Sequence, residues 1–160
     1  MPNAREDFSN LALAGLNSFR EDAIKSIRDI LSRELPGVEQ LQFTIYSRNT
    51  GLPVTVFGMD SDRTNEIVAR TKDGKLRSVL SQSLSTSKQE YVNWDEIDCF
   101  SDDPPDGESD LGGYEFAARV IAGFIHECYL EAGGLDNRLP AVAQHHDRAA
   151  YLDLKTGHWH

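Results

Sequence analysis

Residues 114–132 restrict the fold more than any other part of this chain. On a helical wheel their apolar side chains cover more than half of the circumference, which leaves a narrow polar side for Glu115, Arg119 and His126. Gly133 and Gly134 then end the pattern. Because a surface helix needs only one apolar stripe, we expect this helix at the centre of the domain, with a sheet on one side and other elements on the opposite side.

A second helix is predicted over residues 18–35. Its apolar side chains recur at spacings of three and four and form a single stripe. Ser18 and Glu21 have the spacing of a capping box, and Pro36-Gly37 follows the last apolar position. This pattern is typical of a surface helix that packs one face on a core.

Between these two helices, and again after the helix at 114–132, the chain has the patterns of β-strands. Residues 41–46 alternate apolar and polar side chains, and 54–57 are expected to pair with them across a turn. Strands are also predicted at 66–70 and 76–80 around Asp73-Gly74, at 91–94, and in a final hairpin at 141–145 and 149–154. Because the strands are clustered, the sequence predicts an α+β fold, with an antiparallel sheet of about five to seven strands packed with two main helices in a single domain, residues 1–160.

The charge of the chain is concentrated in one stretch. Between Gln89 and Ala118 there are ten acidic residues and no Lys or Arg, and the remaining 16 acidic residues balance the 16 Lys and Arg of the chain. The whole net charge of −10 therefore lies in this stretch. Residues 95–113, called the acidic segment below, include Pro104-Pro105 and several glycines, so they are predicted to form a loop. Its field repels nucleic acid and anionic membranes and attracts basic proteins or cations, although charge runs also serve solubility alone.

The sequence gives no sign of export or of a membrane span. The first residues lack a basic start and an apolar stretch, and no apolar run approaches the roughly 20 residues of a transmembrane helix. A cytoplasmic location is therefore predicted, with Cys99 and Cys128 as reduced thiols.

Motifs for catalysis, cofactors and metals are incomplete. The acidic segment lacks the closing Glu of a calcium loop, because Gly113 stands there, and His126 is followed at i+4 by Leu130 rather than by a second zinc-binding His. His145 and His146 are adjacent in a predicted strand, so they should point to opposite faces of the sheet. Cys128 lies in the apolar arc of a buried helix, where a thiol is unreactive. We therefore predict no cofactor, no metal and no catalytic residue.

The leading hypothesis is a protein-binding module that presents its acidic segment to a basic partner. In element order and charge the chain resembles small acidic immunity proteins, which neutralise toxins in bacterial competition. The resemblance implies a non-enzymatic cytoplasmic inhibitor. The residues predicted to contact the partner are acidic or aromatic: Asp95, Glu96, Asp98, Asp102, Asp103, Asp106, Glu108, Asp110, Trp94, Phe100 and Tyr114.

The alternative is a small enzyme or ligand-binding domain. Its polar site would lie between the helix at 114–132 and the C-terminal hairpin, where titratable side chains could converge. The candidates for that pocket are Glu127, Glu131, His145, His146, Asp153 and His158.

Overall fold

The computed structural model describes residues 4–46, 51–91 and 113–160, and for residues 4–8 and 113–115 it describes the backbone alone. In these ranges three helices are present: α1 (Ala4–Leu16), α2 (Arg20–Ser32) and α3 (Gly113–Glu131). The strands are β1 (Gln40–Ile45), β2 (Val54–Met59), β3 (Val68–Arg70), β4 (Leu76–Ser78), β5 (Ser81–Ser83), β6 (Ala141–His145) and β7 (Tyr151–Asp153). The predicted α+β class is confirmed, and none of the described helices has the length and hydropathy that a bilayer span requires.

Five strands form one mostly antiparallel sheet, in the order β5-β2-β1-β6-β7. The exception is the pair β1–β6, which is parallel, with Leu41 opposite Ala141 and Ile45 opposite His145. A parallel neighbour requires a crossover connection, and α3 is part of the connection that precedes β6. Beyond β7, Leu152 forms a bridge with Trp159, so the last residues of the chain extend this edge of the sheet.

The core lies between the helices and one face of the sheet. Phe43 and Val56 are directly opposite each other and are fully buried, whereas their neighbours Gln42 and Phe57 on the other face are partly exposed. The helix α3 contacts β1 and β6 and also packs against α1 and α2. It therefore has the central position that its apolar sequence predicts.

The N-terminal helix α1 is not predicted by the sequence pattern. A 3₁₀ turn at Asn17–Phe19 joins it to α2, so the chain is already helical where we expected the start of a new helix. The predicted capping box is therefore wrong: the Ser18 hydroxyl donates to the Gly15 carbonyl at 2.7 Å, and α2 has no side-chain cap at its first residue. The free amides of a helix start need no cap when another helix precedes them.

The small second sheet consists of β3 and β4, paired antiparallel with Arg70 opposite Leu76. The predicted turn at Asp73-Gly74 is confirmed, and Gly74 has φ +80°, which a residue with a Cβ rarely adopts. All six residues of this ribbon are exposed. The predicted strand at 91–94 lies, after Tyr91, outside the described residues.

Candidate functional site

Most of the predicted partner-binding residues lie outside the described ranges. These are Trp94, Asp95, Glu96, Asp98, Phe100, Asp102, Asp103, Asp106, Glu108 and Asp110. Tyr114 belongs to the first turn of α3, where the backbone alone is described. The described residues show where on the folded body the stretch between Tyr91 and α3 begins and where it ends.

The stretch begins at a fixed point of the body. Tyr91, the last described residue before it, is 3% exposed. Gly15 of α1 packs directly on the Tyr91 backbone, so closely that a Cβ at Gly15 would overlap the Tyr91 carbonyl. Two residues before Tyr91, the Gln89 carbonyl accepts a hydrogen bond from the Gly51 N–H at 3.0 Å. Contacts from two separate parts of the chain therefore hold residues 89–91 on the body.

The stretch ends in α3, the central helix of the domain. Ala117, Ala118 and Ile121 are each at most 5% exposed, so one face of this helix is buried from its second turn onward. The stretch that contains the acidic segment thus connects two anchored positions of the body.

The residues of the alternative pocket are divided among three places. Glu127 and Glu131 lie one turn apart on α3 and both contact Arg20 of α2, at 3.3 and 2.8 Å. The cation comes from α2 because this helix packs beside α3. The ion pairs are largely exposed, so they form a link between two helices at the surface rather than a buried polar site.

Asp153 and His158 face each other at the edge of the sheet. The Asp153 N–H donates to the His158 carbonyl at 2.9 Å. The Asp153 side chain is engaged locally, since its Oδ1 accepts the N–H groups of Lys155 at 2.8 Å and Thr156 at 3.2 Å. This arrangement stabilises the turn after β7, and it explains why an Asp is placed there.

His145 and His146 come together at the end of β6, with Asp147 beside them. The two imidazole rings have centroids 4.5 Å apart. His146 Nε2 lies 3.1 Å from Asp147 Oδ2, and the Asp147 N–H points at His145 Nδ1 at 3.3 Å. The expectation that the two histidines point to opposite faces is therefore wrong at this position. Strand geometry ends at His145, and residues 146–147 form a turn.

Next to His145 is a small pocket between α3 and the C-terminal hairpin, close to the position predicted for the alternative site. Its polar walls are Arg119, His145 and Arg148, and the Arg119 guanidinium stacks on the Trp159 ring at 4.4 Å. The free volume is about 10 Å³, which holds about one water molecule. The sequence pattern predicts Arg119 on the polar side of its helix, but the contact with Trp159 depends on the return of the chain end along β7.

The Cys128 thiol, a candidate nucleophile among the described residues, is unreactive. Burial raises the pKa of the Cys128 thiol to about 11, while nearby Arg20 opposes this shift. Burial likewise raises the pKa of Tyr129 to about 12, and its hydroxyl donates to the Gly134 carbonyl at 3.0 Å. Both groups are therefore protonated at neutral pH, as predicted for Cys128. Cys99 lies outside the described residues.

His126 packs against Gly157 in the turn after β7, and a Cβ at Gly157 would lie 2.9 Å from the imidazole Cε1. Its buried Nε2 has no hydrogen-bond partner within the described ranges.

Comparisons of the chain with protein-family models, with curated proteins and with solved structures found no match.

Proposed function

We propose that this chain is a non-enzymatic, cytoplasmic protein-binding module that captures a basic protein through its acidic segment, as an immunity protein captures a toxin. The observation that carries the proposal is the segregation of charge. Ten of the 26 acidic residues lie between Gln89 and Ala118 without a single Lys or Arg, and the rest of the chain is neutral. A chain that needed charge for solubility alone could distribute it over its whole surface.

Segregated charge favours a basic protein over other partners. Fields of one sign steer an oppositely charged protein to one patch and accelerate association, while they repel nucleic acid and anionic lipid. Aromatic side chains beside the charges supply the contacts that hold a partner after encounter. Trp94, Phe100 and Tyr114 are interspersed with the carboxylates in the sequence and have this role in the proposal.

The anchors at both ends support the same function. Tyr91, Ala117 and Ala118 belong to the buried core, so the stretch between Tyr91 and α3 is attached to packed residues of the body at both ends. A loop that is tied at both ends loses less conformational freedom on binding than a free tail does. The proposal also needs no catalytic group, which is consistent with the protonated state of Cys128 at neutral pH.

The test is affinity capture from the lysate of the native organism, followed by charge reversal. A single basic protein that elutes with a salt gradient is the expected partner. The variant Asp102→Lys, Asp103→Lys, Asp106→Lys, Asp110→Lys should then reduce the association rate by at least about 10-fold, because the steering field is reversed locally.

A second variant with the same net charge is the matched control. Glu21, Asp29, Glu34 and Asp136 are exposed acidic residues of the body, and their replacement by Lys changes the charge of the chain by the same amount. The control should bind nearly as fast as the native protein. If both variants lost affinity equally, net charge rather than the acidic segment would be responsible and the proposed site would be rejected.

A further inference from the structure

We propose that His145, His146 and Asp147 form a binding site for a divalent transition metal of the zinc class. The proposal is independent of the proposed function, because these residues belong to the turn after β6. Two imidazoles and one carboxylate are ligands that Zn²⁺ accepts readily, and three protein ligands leave a fourth position for water. In this chain the ligand atoms of all three side chains lie within 4.8 Å of one another.

The end of β6 makes this convergence possible. The His146 N–H donates to the Ile45 carbonyl at 3.0 Å, which continues the pairing of β6 with β1 by one step. The Arg148 N–H then donates to the His145 carbonyl at 3.1 Å and closes a turn. Within a turn successive side chains no longer alternate between two faces, so neighbouring histidines can approach the same point.

His146 is oriented for a ligand at its Nε2 atom. Its Nδ1 lies 3.3 Å from the Ile45 carbonyl oxygen, and its Nε2 lies 3.1 Å from Asp147 Oδ2. Both neighbours are acceptors, so a neutral ring can donate to one of them and turns a lone pair toward the other. When Nδ1 donates to the Ile45 carbonyl, the lone pair of Nε2 faces the negative Asp147 carboxylate. A cation between Nε2 and this carboxylate removes the repulsion. A backbone carbonyl that holds the opposite ring nitrogen is the usual support of a metal-bound histidine.

The spacing of the ligand atoms is close to that of a zinc site. Bonds of about 2.0–2.2 Å in tetrahedral geometry place neighbouring ligand atoms roughly 3.3–3.5 Å apart. The 3.1 Å between His146 Nε2 and Asp147 Oδ2 is near this value. The Asp147 side chain is 70% exposed and can rotate to adjust. His145 Nδ1 is engaged by a contact of 3.3 Å from the Asp147 N–H, which is longer than an ordinary hydrogen bond and is readily exchanged for a metal bond.

Nearby charge limits the affinity of the site. Arg119 and Arg148 line the small pocket beside His145, and their positive charges repel a metal ion. Replacement of Arg148 by Gln should therefore strengthen zinc binding, whereas changes to the ligands weaken it. The opposite effects of these substitutions on zinc affinity distinguish a specific site from unspecific attraction of cations to an acidic protein.

The experiment is calorimetric titration of the full chain with Zn²⁺ after treatment with a chelator. We expect one bound ion per chain at this site, with affinity reduced at least about 10-fold by His146→Ala or Asp147→Asn. His158→Ala should leave it unchanged, because His158 is exposed at the other end of β7. The lysine variant of the acidic segment should also retain the ion. Thermal unfolding without zinc checks that each variant is folded, since both altered ligands are at the surface.

A visible absorption spectrum of the Co²⁺ complex provides a second readout, since tetrahedral coordination by nitrogen and oxygen gives bands that free Co²⁺ lacks. The proposal is overturned if the native chain binds no zinc, or if His146→Ala binds zinc as tightly as the native chain does. It is also overturned if the bound ion is lost from the lysine variant of the acidic segment.

Discussion

Replacement of Gly15 by Ala tests the contact that anchors the start of the acidic stretch. Gly15 lies in α1, and a Cβ there would stand 2.6 Å from the Tyr91 carbonyl carbon and 2.9 Å from the Tyr91 Cα, with the carbonyl oxygen closer still. Ordinary contacts between carbon atoms are about 3.5–4.0 Å. The backbone at Tyr91 and the helix α1 would therefore have to separate by more than about 1 Å.

Two effects of opposite sign determine the result. In a helix interior, Gly→Ala is stabilising by about 0.5–1 kcal/mol, because Ala loses less backbone entropy on folding. Overpacking costs typically about 1–3 kcal/mol, and the upper end applies here because the obstacle is backbone and cannot change rotamer. The expected net effect of Gly15→Ala is a loss of about 2 kcal/mol in the free energy of unfolding.

Gly123 is the matched control for this measurement. It is an exposed glycine of α3, and a Cβ there would meet nothing within 4 Å. Gly123→Ala should therefore raise the free energy of unfolding by about 0.5–1 kcal/mol. In urea denaturation, with a slope of about 2 kcal/mol per molar, the midpoint should fall by roughly 1 M for Gly15→Ala and rise slightly for Gly123→Ala. If both variants were stabilised equally, the packing of α1 on Tyr91 would be refuted.

Two further predictions concern Cys128 of α3 and Arg20, which joins α2 to α3. The Cys128 thiol should react slowly with a thiol reagent at pH 8 in the folded chain and rapidly in denaturant. The pKa of the thiol is about 11 in the folded chain and about 9 in the unfolded chain, so the unfolded state loses the proton first. The contribution of Cys128 to the free energy of unfolding should therefore decline as the pH rises above about 9. Equal reactivity in the folded and unfolded chain would contradict the burial of the thiol. Arg20→Met should lower the free energy of unfolding by at most about 1 kcal/mol, because the ion pairs with Glu127 and Glu131 are exposed. This loss should become smaller in 1 M salt, which screens the charges. A salt-independent loss of several kcal/mol would show instead that the ion pairs are desolvated.

Several elements were predictable because they depend on local pattern. The apolar arc over residues 114–132 corresponds to α3, and the stripe over residues 18–35 contains α2. The turn at Asp73-Gly74 follows from the conformational freedom of glycine. In each case the residues that make the signal are neighbours in sequence, so the physics that forms the element is already present in a short window.

The helix α1 was missed because its apolar residues do not make a single stripe. Leu11 and Leu13 are 51% and 37% exposed, whereas Ala12 and Leu16 are buried. Packing against α3 stabilises this helix, and that surface does not exist until the chain has folded. The missing helix also explains the error about the capping box at Ser18.

The candidate sites depended on long-range structure even more strongly. The sequence alone determined that the net charge lies in one segment, that this segment connects a β-rich region to the most apolar helix, and that His145, His146 and Asp147 are neighbours. Tertiary structure decided that Glu127 and Glu131 meet Arg20, because α2 packs beside α3. It also decided that β6 pairs in parallel with β1 and ends at His145, so that the two histidines meet in a turn. Composition and periodicity report what a residue prefers, but the partner of a side chain is set by which elements pack together, and that is a property of the whole chain.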